Sequence, residues 1–242
     1  MSNRIRWSIV AVFAMAMAWV EAAVVVYLRT LINRIEPYQA NPLPIFGGLG
    51  EIELGREVAT LVMLLTVGAL AGRTWHSQLA YAMIAFGVWD IFYYVLLAPM
   101  TGWPRTLFDW DVLFLLPLPW WGPVIAPVSI ALLMIVGGTL ITHNDDTRAP
   151  VLPRRCTLAL AILGASLALS VFMADTISAS SRGVESIRTV LPTTFNWGWF
   201  SIAFALMGVP IGDMIWQRVH ANRNHLTRAK KLSANNTNLR EC

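Results

Sequence analysis

Charge is what this chain has least of. Only 13% of its 242 residues are charged, against about 25% in soluble domains. With 56% apolar residues, the composition points to lipid rather than water as the solvent. Lysine is almost missing, since of the 18 basic residues only Lys230 and Lys231 are lysines. No apolar stretch therefore offers an amine for a Schiff base, which argues against a retinal site. The two cysteines, Cys156 and Cys242, lie far apart and beside basic residues. That spacing makes no zinc motif, and a disulfide is not expected on the reducing side of a membrane. The histidines, His76, His143, His220 and His225, all fall between or after the apolar stretches. No span then supplies an imidazole, so neither a haem nor a copper site is expected. A Gly-rich phosphate loop and a plausible Ser-His pair are missing as well, which lowers the nucleotide and serine-hydrolase readings.

What is present is a series of long apolar runs. Arg4 and Arg6 precede the first, as in a signal peptide. Trp7 to Leu28, however, is 22 residues interrupted only by Glu21, a spanning length at about 1.5 Å per residue across a core of about 30 Å. It reads as an uncleaved first helix. The run Val58 to Gly72 has only 15 residues, where about 20 are needed. Its missing turn must come from residues 52–57, which places Glu53, Arg56 and Glu57 at the membrane boundary. The expected fold is an all-α polytopic membrane bundle of six transmembrane helices, with spans at about 7–28, 53–72, 79–100, 120–141, 157–177 and 197–216. Residues 1–217 form one transmembrane domain; the polar, basic tail 218–242 is expected to be disordered.

Six spans place alternate connections on one side. Twelve of the 18 basic residues fall in the N-terminal segment, the second and fourth connections and the tail. By the positive-inside rule both termini are cytoplasmic, in a plasma (inner) membrane. The net charge of +4 thus reports topology, and no nucleic-acid partner is expected. On the other side, residues 39–50 are rich in proline and glycine, and residues 105–118 hold an apolar run too short to span. This second segment is expected to lie in the interface or to re-enter the protein.

The functional candidates are the acids inside the spans. A carboxylate at the centre of a spanning helix costs about 2.5–3.5 kcal/mol and normally faces the bundle interior. Asp90 lies near the midplane, with Tyr93 and Tyr94 on the same helical face. Glu53, Glu57 and Thr60 share another face, beside Arg56. Glu21 has no partner on its own helix and needs one across the bundle, or a proton. Glu21, Glu57, Asp90, Tyr93 and Tyr94 therefore form the candidate intramembrane polar site. Asp175 and Asp213 lie near helix ends, Asp213 as an interfacial charge or a partner for Arg218. Asp109 and Asp111 could share a face in an extended loop and hold a divalent cation.

Three functions remain open: an outward-facing acidic site that takes a cation, proton or polar solute for transport; a membrane enzyme using buried carboxylates on a lipid-soluble substrate; and a non-catalytic assembly subunit whose acids pair with Arg29, Arg105 or Arg188. A homo-oligomer or a membrane partner subunit is compatible with each.

Overall fold

The computed structural model describes residues 1–33, 36–38, 49–115, 118–143, 151–181, 183, 191–192 and 194–238. Most of the proline- and glycine-rich segment 39–50 lies outside the described residues, as do Arg148, Arg182 and Arg188. Among the described residues, six helices form: α1 (Asn3–Leu31), α2 (Leu49–Ala71), α3 (Trp75–Thr101), α4 (Ile125–Thr142), α5 (Arg155–Ser180) and α6 (Trp197–Asn238). All six contain segments long and apolar enough to cross a membrane. Their outward residues, such as Val12, Val20, Leu65, Leu132 and Ile162, are apolar and exposed, as a lipid-facing surface requires.

Local signals explain where the helices start and stop. The Ser2 hydroxyl accepts from the N–H of Ile5 and opens α1. Thr74 and Ser77 form a reciprocal capping box at the start of α3. Gly102, at φ +72°, closes α3 with its N–H bonded to the carbonyl of Ala98, a left-handed cap that glycine adopts without strain. The fourth span begins at Ile125 and not at Trp120 as expected. Pro119 and Pro123 lack the N–H groups a helix needs there, and Pro127 is tolerated in the first turn. At the other end of the chain, α6 is helical to Asn238, across residues whose polarity predicts disorder; the stretch 221–231 is rich in Ala, Leu, Arg and Lys, all good helix formers.

The residues displaced from the fourth helix form a hairpin. Strand β1 (Trp110–Phe114) pairs antiparallel with β2 (Trp120–Pro123), with Asp111 opposite Gly122 and Val112 opposite Trp121. The hairpin has its first strand in the segment 105–118 expected to lie in the interface or to re-enter the protein, and its second in residues expected to open the fourth span. It is tucked among the helices: Asp111, Phe114 and Trp121 are buried, and the Thr176 hydroxyl of α5 donates to the Pro119 carbonyl at 2.8 Å. Buried irregular backbone persists only when other groups satisfy its polar atoms.

Helix α3 is the centre of the bundle and packs on α1, α2 and α4; α6 links α4 to α5. Glycines set the closeness of these contacts. A Cβ at Gly87 of α3 would lie 2.5 Å from the Ala131 carbonyl oxygen of α4, and one at Gly138 of α4 would lie 2.6 Å from the Ala80 oxygen of α3. Small residues that let backbones meet are the main attractive device between helices in lipid, where burial of apolar surface gives little. Gly87→Ala should therefore lower stability by roughly 1–3 kcal/mol. Gly55→Ala, where nothing stands within 4 Å, should be neutral or slightly stabilising. Equilibrium unfolding in mixed micelles measures both, and equal stability of the two variants would contradict this packing.

Candidate functional site

At the end of the bundle where α1 finishes and α2 begins, opposite the start of α1, residues of α1, α2, α3 and the hairpin line a cavity of about 180 Å³. Every member of the candidate polar site lines it: Glu21, Glu57, Asp90, Tyr93 and Tyr94. The wall also carries Glu53, Arg56, Arg29 and Asp111. Five carboxyl groups thus face two guanidinium groups.

Glu21 reaches the cavity because it lies on the buried stripe of α1, with Val10, Ala14, Met17, Val25 and Arg29 at helical spacing. Its partner comes from across the bundle. Arg56 of α2 forms an ion pair with one Glu21 oxygen, and the Thr60 hydroxyl approaches the other at 3.5 Å. The same guanidinium holds Glu53 one turn away, with Nε at 2.9 Å. The expected stripe of Glu53, Glu57 and Thr60 is thereby turned inward, although Glu57 has a different task. Both its oxygens accept from the backbone N–H of Leu115, at 2.9 and 3.1 Å. Glu57, 6% exposed, ties the chain just after β1 to α2.

Asp111 enters from the hairpin. Its Oδ1 accepts from Arg29 at 3.1 Å and from the N–H of Val112 at 2.9 Å. Arg29 also stacks on the Trp103 ring at 4.4 Å, an arrangement that suits a weakly hydrated guanidinium. Burial pushes the Asp111 carboxyl above the usual carboxylate range, against the opposing pull of Arg29, the Val112 N–H and the Tyr94 hydroxyl. Asp109, only two residues away, is elsewhere. It accepts from the N–H groups of Arg105 and Thr106 and from the Thr106 hydroxyl at 2.8 Å. Slight burial would raise its carboxyl, but these bonds hold it below the usual range.

The structure therefore divides the Asp109/Asp111 pair, giving each acid its own partners. Among the described residues, no three His, Cys, Asp or Glu side chains are grouped to hold a metal.

Asp90 is the exception within the site. It sits on α3 at the cavity wall beside Tyr93 and Tyr94, whose rings meet edge-on at 4.9 Å. Among the described residues, its buried Oδ2 has no hydrogen-bond donor. Such a group is costly unless something else satisfies it. Asp175 is exposed on α5, away from the cavity. Asp213 corrects an expectation: it pairs with Arg154 at 3.5 Å and accepts from Thr157 and Gln217. Arg218 instead donates to the Leu140 carbonyl, because five residues along α6 turn it to a different face, toward α4 and not the start of α5.

Sequence reasoning named Arg29 only as a possible partner of the acids and Asp111 only as a loop pair with Asp109, and placed neither in the intramembrane polar site. Arg29 carries a usable signal, since eight residues after Glu21 it falls on nearly the same helical face. Asp111 becomes visible only with the hairpin.

No protein-family model, curated protein or solved structure matches the chain.

The ion pair at Glu21 can be tested by itself. Arg56→Met leaves Glu21 and Glu53 without their cation and should destabilise the protein by roughly 3–5 kcal/mol, the usual result of stranding a buried charge. Adding Glu21→Gln to that variant should restore part of the loss in the same unfolding assay; strict additivity of the two changes would show that the pair does not interact.

Proposed function

We propose that the chain is a multi-pass protein of the plasma membrane, with both termini cytoplasmic, and that its acidic cavity takes a cation from the outer side as a step in transport. One observation carries this reading: among the described residues, five carboxyl groups and two guanidinium groups line a single cavity inside an apolar bundle. With every group ionised the cavity has three negative charges in excess. Low-dielectric surroundings do not tolerate such an excess, so protons or a bound cation must offset it. A cleft lined by negative charge also concentrates cations at its entrance.

Pairing within the bundle accounts for much of the chemistry, since Glu21 and Glu53 share Arg56, Asp111 has Arg29, and Glu57 holds Leu115. A purely structural role would be complete with these contacts. Asp90 is left over, and it stands at the wall of open space. The arginine and lysine distribution favours an outward-facing cavity, because the cavity lies at the end opposite the start of α1, where Arg4 and Arg6 stand.

Two measurements follow. In proteoliposomes on a solid-supported membrane, concentration jumps of sodium, potassium or methylammonium should produce a charge-translocation current with at least one of these probes. Glu21→Gln and Asp90→Asn should each remove it; undiminished currents in both variants would take these carboxyls out of the mechanism. For topology, a fluorescent-protein fusion at either terminus should be bright and an alkaline-phosphatase fusion inactive, and the opposite pattern would place the cavity on the cytoplasmic side.

A further inference from the structure

We infer that the preferred occupant of the cavity is a small protonated amine with an apolar tail, held through an N–H donated to Asp90. This rests on the proposed cation site and specifies its chemistry.

The argument starts from which acceptors are already taken. Glu21 faces Arg56 and Thr60, both Glu57 oxygens hold the Leu115 N–H, and Asp111 holds Arg29 and the Val112 N–H. A hard divalent ion needs about six oxygen ligands around one point. This wall does not group three acids for a metal among its described residues. It does leave one buried carboxyl oxygen, Oδ2 of Asp90, without a donor. One unsatisfied carboxyl calls for one charged donor, and an ammonium N–H supplies it as a short charge-assisted bond.

The remaining surface is unsuited to a bare ion. Beside Asp90 stand the rings of Trp89, Tyr93 and Tyr94, while Val25, Leu28 and Ile32 line the same space from α1 and its C-cap. Aromatic faces attract a cation whose water has been stripped, and aliphatic walls favour a hydrocarbon tail over a hydration shell. The volume of about 180 Å³ exceeds that of an apolar cavity of about 150 Å³ that admits benzene. An alkyl- or benzylammonium ion is of this size. A quaternary ammonium fits the charge and the rings but has no N–H for Asp90, so the geometry separates the two classes.

The test uses the purified full-length chain in nanodiscs, with binding followed by isothermal titration and by thermal stability. The probes are n-butylammonium, tetramethylammonium and Mg²⁺. Butylammonium should bind at least tenfold more tightly than tetramethylammonium and raise Tm, with Mg²⁺ showing no saturable binding. Asp90→Asn should weaken butylammonium at least tenfold while leaving the tetramethylammonium affinity within a few-fold. The comparison of probes on the unmodified chain stands even if the variant fails to fold. Equal binding of the two ammonium ions, or saturable binding of Mg²⁺ alone, overturns the amine assignment and leaves the cation site standing. No saturable binding by any of the three overturns the amine assignment, and the absence of sodium and potassium currents as well overturns the cation site.

Discussion

Low-dielectric surroundings and uncompensated carboxylates cannot coexist, and the organisation of this protein follows from how it resolves that conflict. Its helices are apolar enough for a bilayer, yet they carry acids at depths where each ionised group is costly. The solution is local. Acids from α1, α2, α3 and the hairpin are drawn to one cavity, and two arginines are spread among them. Each arginine is held from more than one direction, Arg56 by Glu21 and Glu53, Arg29 by Asp111 and the Trp103 ring. Multiple contacts of this kind fix a guanidinium in place, where a single ion pair would only balance its charge.

The scaffold is built to hold that arrangement open. Glycine-mediated contact brings α3 and α4 close on one side, so Asp90 has a rigid platform. On the other side the hairpin fills the space that a longer fourth helix would have occupied, and it carries Asp111 to the cavity. Glu57 and Thr176 anchor the two ends of the hairpin turn region to α2 and α5. Polar groups that a bilayer would otherwise leave unsatisfied thus become the fasteners between elements.

Much of this is legible from the residues. Hydropathy locates six spans, because about 20 consecutive apolar residues is the length that a helix needs to cross the hydrocarbon core. The short run after Val58 signals that Glu53, Arg56 and Glu57 belong to a helix end, and the lone Glu21 signals a partner on another helix; Arg56 meets both expectations. The hairpin is harder to see. A strand of five residues paired to one of four has no period long enough to stand out, and Trp120 and Trp121 merge with the apolar run that follows. Asp111 reads with Asp109 as a loop pair for the same reason, since only the pairing with β2 turns one acid inward and leaves the other on its own turn. The partner of Asp213 depends on which helix α6 meets, and spacing along one chain does not encode that.

The sign of the potential inside the cavity is the claim from which the rest descends. It can be measured by placing a single cysteine there, Asp90→Cys, in a chain whose Cys156 and Cys242 are replaced by serine. Four carboxyls would still face two guanidinium groups, so a cationic methanethiosulfonate of ethylammonium should label the thiol many times faster than its anionic ethylsulfonate counterpart. Faster labelling by the anion, or no labelling by either reagent in the folded protein, would contradict an accessible negative cavity.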